Sequence, residues 1–141
     1  MLKFTRAMPA PALVAVLLAL TAPAMAADPL GECYKSADTA IETQACLKRE
    51  LDAVKKNYDD VVDRVANHAR ELDRVQSRKT ALKAFTQANK SFERFVDDEC
   101  GWVSASFGSG SGAGNAELAC RINLLRLRAG ALDAQFVTRN R

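Results

Sequence analysis

Four cysteines, Cys33, Cys46, Cys100 and Cys120, carry the most reactive side chains of this sequence. Thiols can form disulfides, bind metal or attack a substrate. Structural zinc sites usually contain two cysteines separated by two residues, and no such pair occurs here. The only histidine, His68, is distant in sequence from every cysteine. The spacing therefore favours disulfides over a metal site, and a bridged cysteine cannot serve as a catalytic nucleophile.

The N-terminal residues have the layout of a secretory signal peptide, which would carry the cysteines into an oxidising compartment. A basic head, an apolar run and a small-x-small cleavage site follow one another: Lys3 and Arg6, residues 12–20, and Ala24-Met25-Ala26. A membrane anchor would need about twenty uninterrupted apolar residues, more than this segment provides. We therefore expect a signal peptide at 1–26, a single domain at 27–141, and a periplasmic or secreted protein with no membrane contact after cleavage.

Cleavage after Ala26 changes the charge of the working protein. The full chain has 20 basic and 17 acidic residues, and two of the basic residues lie in the signal segment. The mature chain keeps 18 basic against 17 acidic residues, a net charge of +1. A nucleic-acid-binding protein would be expected to carry a clear basic excess. The sequence therefore predicts no nucleic-acid partner, and no motif in it indicates a cofactor.

The cysteine spacing also favours one pairing among the three that are possible. Cys33–Cys46 and Cys100–Cys120 each close a short local loop beside a predicted helix. In the chain-entropy model a loop of this size stabilises the folded state by about 3 kcal/mol. We predict these two disulfides, and we expect them to supply a substantial part of the stability of so small a domain.

Three segments repeat apolar residues at three- and four-residue spacing, which predicts amphipathic helices. Thr39 and Glu42 form a capping-box pattern at the start of the first, after an extended lead at 28–38. The three stripes are Ile41, Ala45, Leu51, Val54, Tyr58, Val61, Val65, His68 or Ala69, and Leu72; Leu82, Phe85, Ala88, Phe92, Phe95 and Val96; and Leu118, Ile122, Leu125, Ala129, Leu132 and Phe136.

The sequence indicates the ends of these helices less clearly than it indicates their apolar faces. Asp73-x-x-Gln76 resembles a capping pattern, so we predict a break there between the first two helices. The second helix is expected to end at Cys100, and the glycine-rich segment to 115 would then be a loop. The predicted fold is all-α: a long antiparallel helical hairpin with a third packed helix, stapled by two disulfides.

At this point the residues resemble a known family, the LprI-like lysozyme inhibitor domain. Its opening pattern is matched by Thr39-x-x-Glu42-x-x-x-Cys46-x-x-x-x-Leu51-Asp52 followed by Tyr58. Members continue with an Ala-Gln-x-x-Trp-x-x-x-Arg-Asp-x-x-Cys helix, a glycine-serine loop, and a cysteine ahead of Arg-x-x-x-Leu. Here those places are held by Ala88, Asn89, Phe92, Val96, Asp97 and Cys100, then Gly108 to Gly112, Cys120, Arg128 and Leu132.

Three of these residues depart from the family pattern. Asn89 stands where glutamine is usual, Phe92 where tryptophan is, and Val96 where arginine is. The first two changes are mild in size and chemistry. The third removes a charge, so a partner-binding role cannot be transferred to that position.

The resemblance implies an exported protein that binds a peptidoglycan-cleaving lysozyme and blocks it. The alternative is a non-inhibitory periplasmic adaptor or stress-related binding module using the same helical surface. An enzyme is not expected, because the cysteines are predicted to be bridged and no pair of carboxylates is distinguished by its spacing.

A binding surface is suggested by the residues around Cys100. Asp97, Asp98 and Glu99 are three consecutive acids, and Trp102 and Phe107 follow in the glycine-rich segment. The simpler interpretation is a solvated helix end beside a linker. The functional interpretation is an acidic edge facing a cationic lysozyme, with the aromatic side chains as anchors.

Three further residues are expected to have structural roles. Phe92 and Leu132 belong to the predicted core, and Arg128 would lay its stem on that core with its head on a carboxylate or a helix end.

Overall fold

Four helices follow one another in the part of the chain that the structure describes. The structure is a computed structural model, and it describes residues 28–108, 110 and 112–139, so the predicted signal peptide at 1–26 lies outside the described residues. The helices are α1 (Pro29–Lys35), α2 (Ala40–Val75), α3 (Ala81–Ser106) and α4 (Ala113–Arg139). No strand occurs in these ranges, and the all-α prediction is confirmed.

The short helix α1 corrects the expectation of an extended lead. Asp28 is its N-cap, and the Asp28 side chain accepts a hydrogen bond from the N–H of Leu30 at 3.2 Å. Pro29 lies at the start of the helix, where its fixed φ is compatible with helix and its missing N–H costs nothing. Cys33 is buried and bonded to Cys46, so α1 is held against α2.

The start of α2 is set by the predicted capping box. The Oγ1 atom of Thr39 accepts the N–H of Glu42 at 3.2 Å, and Oε2 of Glu42 accepts the N–H of Thr39 at 3.1 Å. These bonds satisfy backbone donors that have no partner within the helix. The roles predicted for Thr39 and Glu42 are confirmed.

The buried face of α2 differs from the predicted stripe in its first two turns. Ile41 and Ala45 are exposed, whereas Thr43 and Leu47 are almost completely buried. Leu47 packs in a core cluster with Cys33 of α1. The positions of α1 and α4 decide which residues of α2 are covered here, and periodicity within α2 carries no information about those neighbours.

The break between α2 and α3 lies at residues 76–80, close to its predicted place, but Asp73 has a different role. Asp73 lies inside α2, and its carboxylate caps the start of α3 instead of beginning a helix of its own. Its Oδ1 accepts the N–H groups of Thr80 at 3.1 Å and Ala81 at 2.8 Å, and its Oδ2 accepts that of Leu82 at 3.1 Å. These backbone hydrogen bonds, that from Ala81 above all, lower the pKa of Asp73.

Replacing Asp73 with alanine should destabilise the protein at neutral pH, because three N–H groups at the start of α3 lose their acceptor. The pKa of Asp73 is lower in the folded state than its ordinary value of 3.8. Its contribution is therefore complete above about pH 4 and is lost as pH falls through the folded value. Thermal melts of parent and variant should converge at acidic pH. Asp63→Ala, at an exposed site in the middle of α2, is the control and should change the melts little. A gap between parent and variant that is independent of pH would contradict the capping role.

The helix α3 does not end at Cys100 as predicted but continues to Ser106. Its true end is marked by Gly108, whose φ of +61° is the left-handed conformation that commonly terminates helices. The N–H of Gly108 bonds to the carbonyl of Ala105 at 3.0 Å. The segment between α3 and α4 is therefore shorter than expected, and Trp102 is a helical residue.

The helix α4 lies between the other long helices. It packs against α2 and α3 more extensively than those two pack against each other, and it also contacts α1. Three pairs of side chains join α2 to α4 in the same order along both helices: Glu50 with Arg126, Arg64 with Asp133, and His68 with Phe136. The helices α2 and α4 are therefore parallel, and α3 is antiparallel to both. The predicted hairpin with a third packed helix is confirmed, and the third helix is its centre.

The core has two clusters arranged along α4. The first contains Cys33, Leu47, Ala119 and Ile122, and the second contains Tyr58, Val61, Ala129 and Leu132. The stripe predicted for α4 is correct. On α3, by contrast, Ala88 and Phe95 are exposed and Asn89 is buried in their place, while Phe92 is half-buried at the edge of the second cluster.

Candidate functional site

The five residues predicted to bind a partner all lie near the C-terminal end of α3, but they do not share one side of it. Asp98 and Glu99 precede Trp102 by four and three residues, so these three are neighbours on the helix surface. Asp97 is directed toward α4, where it pairs with Arg121. Phe107 is the C-cap residue of α3 and is exposed.

A fourth residue lies on the same side of α3 as Asp98, Glu99 and Trp102. Sequence reasoning had assigned it to the core. Phe95 lies seven residues before Trp102, two helical turns away on the same face, and its side chain is exposed. We call Phe95, Asp98, Glu99 and Trp102 the outer face of α3. Trp102 is its largest side chain, with 64% of its surface exposed. The seven-residue spacing of two aromatic residues was the signal that could have identified Phe95.

The outer face is also more rigid than the sequence suggested. Because α3 continues to Ser106, the acids at 97–99 lie about two turns before its end, where the helix dipole has little effect. The Cys100–Cys120 disulfide anchors this part of α3 to the start of α4. Cys100 itself is fully buried, two residues before the exposed Trp102. The indole is therefore presented by a fixed helical turn rather than by a loop.

On the other side of α3, away from the outer face, a cleft of about 410 Å³ opens between α2, α3 and α4. Its lining combines apolar residues with charged ones: Leu51, Tyr58, Val96 and Leu125, with Lys55, Asp59, Glu93, Asp97 and Arg121. Sequence reasoning missed this cleft, because its residues come from three helices whose relative position no local pattern reveals.

Arg121 joins two sides of the cleft. Its Nη1 lies 2.7 Å from Oδ1 of Asp97 on α3, and its Nη2 lies 3.1 Å from Oε1 of Glu117 on α4. The hydrogen bond that Arg121 donates to Asp97 is the main cause of a raised pKa for Arg121. Asp97 is thus occupied by an intramolecular partner, unlike its predicted role as a free acid of the binding edge.

A chain of hydrogen-bonded polar side chains lies beside the cleft, buried at Tyr58 and Asn89 and exposed at Glu93. The hydroxyl of Tyr58 donates to Oδ1 of Asn89 at 2.9 Å, and Nδ2 of Asn89 donates to Oε1 of Glu93 at 3.0 Å. Burial raises the pKa of the Tyr58 hydroxyl. Because Asn89 is buried, these bonds satisfy polar atoms that would otherwise be costly, and they link α2 to α3. Asn89, which replaces the usual glutamine of the motif, has this structural role.

Arg128 lies against the core as predicted, but among the described residues its head forms no ion pair with a carboxylate. Its guanidinium lies 5.4 Å from the centre of the Phe92 ring, within the range of a cation–π interaction. The Phe92 ring in turn contacts Tyr58 and Phe95, at 6.0 and 6.5 Å between centroids. Leu132, the other residue of this motif pair, is buried in the second core cluster.

A protein with this combination of capping box, paired cysteines and antiparallel helices can now be compared with known families. Residues 32–132 match the family model described as Lysozyme inhibitor LprI. The chain belongs to the LprI family. The match spans all four cysteines and most of α4, which is more than half of the sequence. No curated protein and no solved structure matches the chain.

The structure also places the cysteines, the candidate metal ligands and the long helices of this LprI family member. All four cysteines are joined in the two predicted disulfides, so no thiol is available as a nucleophile. Across residues 28–108, 110 and 112–139, no three His, Cys, Asp or Glu side chains are grouped as a metal site requires. Within the same ranges, no helix combines enough length and apolar character to cross a membrane. His68 packs edge-on against Phe136 at 5.1 Å.

Proposed function

We propose that this protein is exported to the cell envelope and there binds a lysozyme and blocks it. The observation that carries the proposal is the match of residues 32–132 to the LprI family, which is named for lysozyme inhibition. The two disulfides support export, because such bonds persist in oxidising compartments. The secretory layout of the N-terminal residues agrees with this location.

The outer face of α3 is the surface that we propose contacts the enzyme. Asp98 and Glu99 place negative charge beside two exposed aromatic rings, and lysozymes of animal type are cationic. Opposite charges mainly accelerate encounter, whereas buried aromatic side chains mainly determine how long a complex lasts. Trp102 is therefore the proposed anchor, with Phe95 beside it.

The rigidity of this face supports the same proposal. Ordering a flexible segment on binding costs free energy, and a segment that is already ordered avoids that cost. Trp102 lies within α3, and the Cys100–Cys120 bridge restrains the turn from which it projects. A short-lived encounter driven by charge could thus become a stable complex without folding of the inhibitor.

Replacing Trp102 with alanine should raise the rate of dissociation from lysozyme by about tenfold or more, as expected for an aromatic anchor. The variant should keep the circular dichroism spectrum and melting temperature of the parent, because the indole is mostly exposed. Surface plasmon resonance would give the rates. Tyr34→Ala, an aromatic of 51% exposure on α1, is the matched control and should leave dissociation unchanged.

A second variant separates the role of charge from that of the aromatic anchor. Asp98→Asn with Glu99→Gln should slow association and reduce its dependence on salt, with little change in dissociation. Asp52→Asn with Asp63→Asn, at exposed positions of α2, is the control for net charge. If both Trp102→Ala and the acid variant bind as the parent does, the outer face of α3 is not the contact surface.

Inhibition itself is tested by adding the purified mature protein to bacterial walls with several types of lysozyme and following turbidity. At least one type should clear the walls more slowly. A protein that slows none of them would contradict the proposal and favour a non-inhibitory binding module in the envelope.

A further inference from the structure

A second concave surface lies where α2 ends and α3 begins. This groove has a volume of about 660 Å³. Eight residues line it: Arg70, Asp73, Lys79, Leu82, Lys83, Thr86, Gln87 and Lys90. We call it the basic groove. It lies on the first turns of α3, whereas the outer face of α3 lies on the last ones, and no residue belongs to both.

The basic groove carries positive charge that the described part of the chain does not neutralise. Four of its residues are cations and one is an acid. The carboxylate of that acid, Asp73, is already bonded through both oxygens to the backbone of α3. Among the described residues, none of the four cations is in an ion pair. A concave surface lined by one sign of charge concentrates the field and attracts oppositely charged ligands.

The arrangement of these cations indicates the shape of the ligand. Lys83, Thr86, Gln87 and Lys90 are spaced by three, four and seven residues, so they share one face of α3. Lys83 and Lys90 are separated by about 10 Å along the helix axis. The charges of Lys83 and Lys90 are therefore spread along α3 instead of converging on one point, which suits a chain of anions better than a single ion. Between them, Thr86 and Gln87 offer hydrogen-bond donors.

We propose that the basic groove binds a linear polyanion that carries phosphate groups, laid along the first turns of α3. Lysine ammonium groups act as point charges toward phosphate and do not need the paired geometry that arginine gives to a carboxylate. The concave shape favours a polymer strand over a bilayer, whose surface is flat. This site is separate from the proposed lysozyme contact and does not depend on it.

The test uses the mature, disulfide-bonded protein and long-chain inorganic polyphosphate as the probe, with binding measured by calorimetry. We expect binding that weakens as salt rises, because counterions are released. Lys83→Glu with Lys90→Glu should reduce the affinity by about tenfold or more. Lys48→Glu with Lys55→Glu is the matched control, since these are exposed lysines seven residues apart on α2. The control should bind within about twofold of the parent, less than the loss of one phosphate contact would cost.

Three results would overturn the proposal. Equal losses for the two lysine pairs would show diffuse attraction to surface charge. Binding to phosphatidylglycerol vesicles but not to soluble polyphosphate would indicate a membrane surface. Displacement of polyphosphate by equivalent concentrations of orthophosphate would indicate a single-anion site. The rate of dissociation from lysozyme should be the same in parent and in Lys83→Glu with Lys90→Glu, which keeps the two proposals independently testable.

Discussion

Leu132→Ala is expected to lower the free energy of unfolding by about 2–5 kcal/mol. Leu132 is 4% exposed and lies in the second core cluster with Tyr58, Val61 and Ala129. Truncation removes apolar contacts and leaves a cavity that the surrounding helices fill only partly. The loss should be large because α4 is the helix against which both α2 and α3 pack.

The matched control is Leu127→Ala, the same substitution on the same helix at a position of 65% exposure. It should change stability by no more than about 0.5 kcal/mol, as usual for surface sites. Urea denaturation followed by circular dichroism would measure both variants. Equal losses at the two positions would show that the buried face of α4 has been wrongly assigned.

Removal of the Cys100–Cys120 bridge should be comparably damaging. Replacing both cysteines with alanine releases a link between residues 20 apart in sequence, which in the chain-entropy model costs about 3 kcal/mol. Alanine is preferred to serine because Cys100 is completely buried. The variant should also inhibit lysozyme less well, since Trp102 would project from a loosened turn.

Hydrogen exchange can locate this effect within the molecule. Loss of Cys100–Cys120 should increase exchange first at the end of α3 and at the start of α4. Loss of Cys33–Cys46, whose partners are 13 residues apart, should instead increase exchange first in α1. Identical exchange patterns for the two double variants, or melting temperatures equal to that of the parent, would contradict local bracing by the disulfides.

Local features of this protein were correctly predicted from its sequence. The capping box at Thr39 and Glu42 depends on atoms three residues apart. The apolar stripe of α4 depends on a repeat of three and four residues, and the two disulfides join cysteines that are near in sequence. Each of these features is determined within about one to six helical turns, so a single sequence contains the information needed to find it.

Features that require a neighbouring helix were missed or misplaced. Phe95 satisfies the same periodicity as Phe92, and only the positions of α2 and α4 leave the first exposed and the second partly covered. Asn89 is buried because Tyr58 of α2 supplies its hydrogen-bond partner. Asp73 caps a helix that begins eight residues later, across a turn whose geometry no local pattern specifies.

The candidate binding surfaces also combine features visible in the sequence with features that depend on neighbouring helices. The acids at 97–99 and Trp102 were visible as residue types, but their separation between the cleft and the outer face of α3 follows from the extension of α3 past Cys100. The basic groove could not be predicted from the sequence. Arg70 and Lys83 line the same groove only because the turn at 76–80 brings α2 and α3 together. Helical periodicity specifies which side of each helix is apolar, whereas contacts between helices decide which side chains remain free to bind.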